Sequence, residues 1–327
     1  MKEYLNDDAK QRATNDLENY SVYLRLKNMD QMKDKKIGWI GTGLMGNPMA
    51  KHLINAGYGL NVFNRTKQKA EELLGMGATW YNTPADIAAN SEVIFTMIGF
   101  PKDVEECYFG EQGIFKSIKQ GTILIDMTTT KPSLAVKISE EAAKVGAEFN
   151  DAPVSGGQVG AINGTLSIMI GGKKEVVESV MPLFETFGKN MVYQGKAGAG
   201  QHTKMCNQIT VAGTMIGVCE GLIYGAKAGL DLNVMLASVS KGAAACWTLD
   251  ILAPKIVNGD YAATFTVDNF VKDLSIALEE AEVMQLSLPG LALVKQLYIL
   301  LQAMGKGSFG TQSLYLALEK IAEQKQE

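Results

Sequence analysis

Short apolar runs alternate with longer amphipathic segments through the first half of the chain. The runs hold three to six residues, are rich in Ile, Val, Leu and Phe, and end at Gly, Asn or charged residues, which is typical of buried strands. The predicted strands cover residues 37–40, 60–63, 78–80, 92–97, 122–126, 166–170 and 190–193. Because segments of helical period separate them, the pattern predicts an α/β domain with a doubly wound sheet.

The second half of the chain has a helical period throughout. Helices are predicted over residues 231–239, 247–257, 268–284 and 289–304 and after residue 311. A long helix from Gly198 to Gly229 joins the two halves. We therefore expect an N-terminal extension over residues 1–35, a sheet domain over 36–199 and an all-α domain over 200–327.

The long helix carries a glycine at every fourth position, at Gly213, Gly217, Gly221 and Gly225. This spacing places the glycines along one face, where another helix can approach closely. The apolar run in this helix is shorter than the roughly 20 residues that a membrane span needs. We therefore expect a buried helix that packs on its neighbours or on a second subunit.

A glycine motif follows the first strand and opens a helix. Its G-x-G-x-x-G pattern is formed by Gly41, Thr42, Gly43, Leu44, Met45 and Gly46. In the Rossmann-type fold the first glycine makes a tight turn, the second lets backbone N–H groups reach a pyrophosphate, and the third allows close packing of helix on strand. The helix dipole also favours the anion. The motif therefore predicts a dinucleotide-binding domain.

The end of the second strand bears on which dinucleotide is bound. NAD-binding folds usually place an acid there, but this chain has Asn64, Arg65 and Thr66. An acid repels a 2′-phosphate, whereas these residues offer it hydrogen-bond donors. We therefore expect NADP to be favoured over NAD. In the alternative interpretation Arg65 stacks on the adenine, and both cofactors are used.

Three loops are candidate ligand sites, two of them because ligands of doubly wound sheets bind beyond the carboxyl ends of strands. Residues 98–101 and 127–130 are two of them, although ordinary turns have similar composition. In the third, Ser155, Gly156 and Gly157 form either a nest of N–H groups suited to a carboxylate or a plain hairpin turn. A polar loop to residue 165 should follow, and the next strand should extend the same sheet.

The start of the long helix places three polar side chains on one face. Lys204, Asn207 and Gln208 stand at positions i, i+3 and i+4. The helix dipole and partial burial both disfavour a charged lysine there, so we expect a lowered pKa for Lys204. The alternative is an ordinary surface lysine. Lys272 and Asp273 are also adjacent, and such pairs are usually solvated.

Composition narrows the possible partners. Lys and Arg total 31 against 35 Asp and Glu, which leaves no broad basic surface for nucleic acid or an anionic membrane. Four widely spaced cysteines and two histidines argue against a metal site or a disulfide framework. The first 30 residues contain no apolar core like that of a secretory signal, so we expect a cytoplasmic protein.

Four segments in this order resemble the β-hydroxyacid dehydrogenases, the family of 3-hydroxyisobutyrate dehydrogenase and tartronate semialdehyde reductase. They are residues 41–46, 151–157 with 164–169, 198–207, and 272–273. The resemblance implies that Lys204 is catalytic, that Asn207 positions the substrate beside Gln208, and that Ser155, Gly156 and Gly157 bind its carboxylate. It also implies a cofactor site lined by Ile98, Gly99, Asp103, Thr129 and Lys272. The family often has a second Asn where this chain has Gln208.

The resemblance implies hydride transfer between NAD(P) and a small carboxylate-bearing alcohol or aldehyde, with Lys204 as general acid and base. Candidate substrates are 3-hydroxyisobutyrate and the tartronate, succinic and glyoxylic semialdehyde class, which the sequence does not rank. The alternatives are an imine reductase, which generally lacks the lysine, and a dinucleotide sensor without catalysis. The glycine-lined helix and the apolar helices around it predict a homodimer or homotetramer.

Overall fold

A computed structural model describes residues 32–323 of the protein. The predicted N-terminal extension covers residues 1–35, and its first 31 residues lie outside the described residues. The strands are β1 (Ile37–Ile40), β2 (Leu60–Phe63), β3 (Thr79–Trp80), β4 (Val93–Thr96), β5 (Ile123–Asp126), β6 (Glu148–Asp151), β7 (Val154–Ser155), β8 (Leu166–Gly171) and β9 (Gly188–Gly195).

Helices follow most of these strands and make up the remainder of the chain. The α-helices are α1 (Gly46–Asn55), α2 (Glu71–Gly75), α3 (Pro84–Asn90), α4 (Pro101–Phe109), α5 (Pro132–Lys144), α6 (Gly157–Asn163), α7 (Lys174–Phe184), α8 (Ala199–Lys227), α9 (Leu232–Val239), α10 (Ala253–Val257), α11 (Val267–Val283), α12 (Pro289–Ala303) and α13 (Leu314–Glu323). Short 3₁₀ turns lie at Lys67–Ala70, Ile114–Lys116 and Thr311–Ser313.

The strands form one sheet. Its first part has the order β3-β2-β1-β4-β5-β6 with every neighbour parallel, which is the doubly wound order of a dinucleotide-binding domain. Strand β8 joins antiparallel to β6 through Gly171 and Asp151, and it pairs in turn with β7 and β9. The predictions of a doubly wound sheet and of its extension beyond β6 are both confirmed.

Three apolar clusters organise the packing. One sheet face is covered by α1, α2 and α7, represented by Leu53, Leu73 and Phe184, and the other by α3, α4 and α5. The third cluster lies in the helical half, where α8, α11 and α12 meet around residues such as Phe270 and Tyr298. Burying apolar surface on both sheet faces explains why β1 and β4 are continuous hydrophobic runs.

Two sequence expectations are wrong in this part of the fold. The predicted polar loop up to residue 165 contains α6, which begins directly at Gly157 and ends at Asn163, where Gly164 caps it in a left-handed conformation. The helix predicted over 247–257 is divided into a π-helical turn, Thr248–Leu252, and α10. Pro254 stands at that junction and lacks the N–H that a continuous α-helix would use.

The expectation that the apolar run of α8 is too short for a membrane span is also wrong. Helix α8 has 29 residues and is long and apolar enough to cross a membrane by length and composition alone. Core helices of globular proteins meet the same criterion, and α8 buries Ala212, Met215 and Leu222 in the helical cluster. These three residues therefore pack on neighbouring helices.

Candidate active site

A cleft of about 1040 Å³ lies between the carboxyl ends of the strands and the helical half. Its walls come from the glycine motif, the loops after β2, β4 and β5, the turn before α6, and α8 and α11. Of the predicted site residues, those that line it are Gly41, Gly43, Leu44, Met45, Gly46, Asn64, Arg65, Ile98, Gly99, Asp103, Thr129, Ser155, Gly156, Gly157, Lys204, Asn207, Gln208 and Lys272. Thr42 and Thr66 are not among the lining residues.

The glycine motif leaves room where a pyrophosphate would need it. Gly41 has φ of 99°, and a side chain there would collide with the Met97 carbonyl, while one at Gly46 would collide with the Gly41 carbonyl. At Gly43, by contrast, an added Cβ meets no described atom within 4 Å. Two glycines are therefore required by the fold and the third leaves backbone open to the cleft, which fits a dinucleotide held at the start of α1.

The residues after β2 have different roles from one another. Asn64 accepts from the Thr42 N–H at 3.1 Å and donates to the Thr66 carbonyl at 2.9 Å, so it braces the glycine motif. Arg65 extends outward with 78% of its side chain exposed, and its Nη1 lies 3.0 Å from Asp103 Oδ1. The Asp103 carboxylate also accepts from the Phe100 N–H. Arg65 therefore keeps guanidinium donors available for an anionic ligand.

The loops after β4 and β5 are tied together by buried side chains. Thr128 accepts from the Ile98 N–H at 3.0 Å, and its own N–H donates to Asp126 at 3.1 Å. Burial raises the pKa of Asp126 to about 6. Gln201 grips the second loop from α8, donating to the Thr128 carbonyl at 2.7 Å and accepting from the Thr130 N–H at 3.1 Å. Gln201 and Asp126 are not among the site residues predicted from the sequence.

Lys204 lies where α8 faces these loops. The residue is only 6% exposed. Burial lowers its pKa to about 8, with Asp273 opposing the shift and Lys272 adding to it. The expected lowered pKa is thus found, and burial is its main cause. Because it is buried, Lys204 is not an ordinary surface lysine. A lysine with a pKa of about 8 can both donate and accept a proton near neutral pH.

Lys272 and Asp273 are buried, so the expectation of a solvated pair is wrong. Their side chains are 10% and 1% exposed and form an ion pair at 3.0 Å. Lys272 also donates to the carbonyls of Gly99 at 3.2 Å and Thr129 at 3.0 Å. The lysine of α11 therefore connects the helical half to both cofactor-side loops.

A line of amides continues from this pair. Gln208 donates to Asp273 Oδ2 at 2.6 Å and accepts from Asn207 Nδ2 at 2.7 Å. Gln208 is 3% exposed, whereas Asn207 is half-buried and lines the cleft. The two amides of α8 are thus one connected network with the charges of α11.

The turn before α6 forms the opposite wall. Gly156 and Gly157 have φ of 123° and 61°, values that disfavour any side chain. Ser155 is held in register against Ser167 of β8. At the far end of α6 the His52 ring Nε2 lies 3.0 Å from the carbonyl oxygens of Ala161 and Ile162. These residues do not form the plain hairpin turn considered from the sequence. Strand β7 ends at Ser155, and α6 begins at Gly157.

The helical side of the cleft also carries apolar residues. They are Val211, Trp247, Leu252 and Phe265. Among the described residues no group of three or more His, Cys, Asp or Glu side chains could hold a metal ion.

Comparison with known proteins covers both halves of the chain. Residues 36–195 match the family model for the NAD binding domain of 6-phosphogluconate dehydrogenase, and residues 198–318 match the model described as NAD-binding of NADP-dependent 3-hydroxyisobutyrate dehydrogenase. The uncharacterized oxidoreductase YkwC of Bacillus subtilis is 52% identical over 86% of this chain and 98% of its own. The 2-hydroxy-3-oxopropionate reductase of Escherichia coli is 37% identical over 89% of this chain and 99% of its own.

Solved structures agree in fold. The structure of Mycobacterium tuberculosis 3-hydroxyisobutyrate dehydrogenase with L-serine matches with a TM-score of 0.80 and 25% identity, covering 87% of this chain and 99% of that one. Relatives of this similarity, aligned over nearly their whole length, share both halves of the molecule. The protein therefore belongs to the β-hydroxyacid dehydrogenase family and is an NAD(P)-dependent hydroxyacid dehydrogenase.

Proposed function

We propose that the enzyme interconverts a small β-hydroxyacid and its semialdehyde, with Lys204 as the general acid and base. The observation that carries the proposal is the buried Lys204 on the cleft wall, with a pKa lowered to about 8 by burial. A group that titrates near the working pH is suited to proton transfer in both directions.

The chain's residues divide the work of catalysis. The nicotinamide, when bound, would supply or accept the hydride. The Lys204 ammonium would hydrogen-bond the substrate carbonyl oxygen and give it a proton during reduction, and the neutral amine would take the hydroxyl proton during oxidation. Ser155, Gly156 and Gly157 would receive the substrate carboxylate, and Asn207 and Gln208 would complete the polar wall. The residues proposed to hold the dinucleotide are Gly41, Gly43, Leu44, Met45, Gly46, Arg65, Ile98, Gly99, Asp103, Thr129 and Lys272, with Thr42, Asn64 and Thr66 supporting them.

We propose NADP as the preferred cofactor, with Arg65 as the residue that favours it. The exposed guanidinium retains donors beyond the one directed at Asp103, and bidentate recognition of phosphate suits it. Asn64 and Thr66 would act indirectly in this preference, because their polar groups brace the loop through the Asn64 amide.

A panel assay tests the function. Purified enzyme should consume NADPH with a small semialdehyde and reduce NADP with the matching hydroxyacid. An imine reductase would instead turn over cyclic imines and leave semialdehydes untouched. A dinucleotide sensor would bind both cofactors, measured by calorimetry, without turnover of any carbonyl compound. Either result would contradict the proposal.

We also propose that the protein self-associates through the helical half. A Cβ built at Gly213, Gly217 or Gly221 meets no described atom within 4 Å, so this face of α8 is open to a partner helix. Exposed apolar side chains such as Tyr224 and Val283 lie in the same half. Sedimentation of the wild type should give a dimer or tetramer, and Gly217→Glu should weaken it. A monomeric wild type at micromolar concentration would contradict this.

A further inference from the structure

Asp273 fixes, at one end of the amide network in the cleft, which groups donate and which accept hydrogen bonds. An ionised carboxylate has acceptor sites and no hydrogen to donate. The ion pair with Lys272 at 3.0 Å is consistent with that charged form. The Gln208 atom that lies 2.6 Å from Asp273 Oδ2 must therefore be the amide nitrogen. Of the two possible orientations of the Gln208 amide, the carboxylate permits one.

The same constraint passes along α8 to Asn207. Since Gln208 turns its nitrogen to Asp273, its oxygen faces Asn207 and can only accept. The group that meets this oxygen at 2.7 Å must be the Asn207 nitrogen. The Asn207 amide is thus held in one orientation, although the side chain lies on the cleft wall and would otherwise be free to flip.

Asn207 lines the cleft, and its carbonyl oxygen is the acceptor of this amide that is left for a ligand. Its nitrogen is drawn toward the buried Gln208, and the oxygen is the branch of the amide on the other side. Among the described residues no hydrogen bond reaches this oxygen. A ligand group placed against it must therefore carry a hydrogen-bond donor, and a carboxylate would be repelled.

A three-carbon β-hydroxyacid has one position left for such a contact. Under the proposed function Lys204 takes the oxygen on C3, and Ser155 with the two following glycines takes the C1 carboxylate. The remaining substituent is the one on C2. In this class it is a hydroxyl, an ammonium or a methyl group, and the first two are donors.

We infer that Gln208 is a positioning residue that fixes Asn207 as an acceptor, so that the enzyme favours substrates with a hydroxyl or ammonium on C2 over the 2-methyl acid. This inference rests on the proposed function and orders its candidate substrates. The effect acts through Asn207, and Gln208 needs no contact with the substrate. A cleft-facing hydrogen bond of this kind gives a preference of about 10-fold.

The experiment compares three acids on the full-length enzyme with saturating oxidised cofactor: glycerate, serine and 3-hydroxyisobutyrate, each as both enantiomers. In the wild type, kcat/KM for glycerate or serine should exceed that for 3-hydroxyisobutyrate by about 10-fold or more. In Gln208→Met this ratio should fall about 5-fold or more, mainly through a higher KM for the donor-bearing acid. A simple loss of packing would lower kcat/KM for all three acids equally and leave their ratio unchanged.

Two further variants complete the test. Asp273→Asn keeps the shape of the side chain but can donate as well as accept, so it releases the amide orientation and should reduce the ratio even if Gln208→Met folds poorly. Any effect on Lys204 cancels in the ratio, because Lys204 acts on all three acids. Gln312→Met is the matched control, since this buried glutamine donates to the Asp260 and Ala262 carbonyls outside the cleft; its ratio should equal that of the wild type.

The outcomes separate the two levels of the proposal. A wild-type preference for 3-hydroxyisobutyrate, or a ratio unchanged in both Gln208→Met and Asp273→Asn, would overturn the role of Gln208 and leave the enzyme's reaction intact. Absence of turnover with every acid and both cofactors would overturn the proposed function, and this inference with it.

Discussion

The two walls of the cleft are built by different means. At the glycine motif the cofactor wall relies on backbone, with two glycines required by close contacts and Gly43 left open. The substrate wall relies on buried charged and amide side chains, which connect Lys204, Gln208 and Asp273 across α8 and α11. A wall made of backbone depends on local sequence, whereas a wall made of buried side chains depends on how distant elements pack. Substitutions in the two walls should therefore fail in different ways.

The largest effect is expected from replacing Lys204. This variant separates a loss of proton transfer from a loss of cofactor binding. Lys204→Met should lower kcat/KM for reduction by about 10³-fold, because the proton donor is lost. Cofactor affinity, measured by fluorescence titration, should change by less than about 3-fold, since the cofactor wall is untouched. Near-normal turnover by this variant would show that another group transfers the proton.

The stability of the same variant provides an internal control. The folded protein releases the Lys204 proton at about pH 8, whereas the ordinary value is 10.5. The unfolded chain therefore binds more protons between these values, and the lysine reduces stability below pH 8, an effect that is relieved as pH rises toward 10.5. Lys204→Met should unfold at a temperature no lower than the wild type at pH 7. A marked loss of stability would assign Lys204 a structural role.

A pair of glycine variants tests the backbone wall. Gly46→Ala should destabilise the fold by about 3 kcal/mol, because the new methyl group collides with the Gly41 carbonyl. Gly43→Ala should fold normally but bind cofactor about 10-fold more weakly, because its methyl group fills the space for the pyrophosphate. Denaturant unfolding and cofactor titration measure the two effects. Equal unfolding losses for both variants would contradict the division of roles.

The rates of reduction and oxidation should depend on pH in opposite directions. Reduction needs protonated Lys204, so its rate should fall as the pH rises through about 8, while oxidation should rise over the same interval. Asp273→Asn should move both midpoints to lower pH, because Asp273 holds the pKa of Lys204 up against burial. Midpoints that do not move in this variant would contradict the electrostatic coupling across the substrate wall.

The smallest effect is expected at the exposed end of the cofactor wall. Arg65→Gln should raise KM for NADPH by about 5-fold and leave KM for NADH within about 2-fold, because it removes a charge-assisted contact to the 2′-phosphate. Lys67→Gln, a neighbouring charge loss outside the lining residues, is the control. A wild type that prefers NADH would contradict the choice of NADP.

The contrast between the walls also explains what the sequence could predict. The glycine motif and the strand that precedes it were located from local pattern alone, because a turn, a close approach and a helix start are each dictated by neighbouring residues. The line from Gln208 to Asp273 joins residues 65 positions apart. Nothing in the local pattern of residues 272–273 distinguishes a buried pair from a solvated one, so the sequence alone predicts the commoner, solvated arrangement.

Helix α6 and Gln201 illustrate the same limit. The segment after Gly157 contains Gly160 and Gly164 and has the composition of a turn, but His52 of α1 lies against its last carbonyl groups and Leu166 packs beside Gly160. Gln201 contacts a loop about 70 residues earlier in the chain. Tertiary contacts override composition in the first case and hold a cofactor-side loop in the second.

The anchoring of the first turn of α8 has a mechanical consequence. Asp151 of β6 accepts from the N–H groups of Gly198 at 2.7 Å and Gln201 at 2.8 Å, and Gly200 lies so close that a side chain there would collide with the Met169 carbonyl. Lys204 follows within one helical turn, so the sheet fixes its position directly. One turn further on, Gln208 of the same helix donates to Asp273 of α11. The first turns of α8 therefore tie the sheet to α11, and the lysine lies between these two attachments.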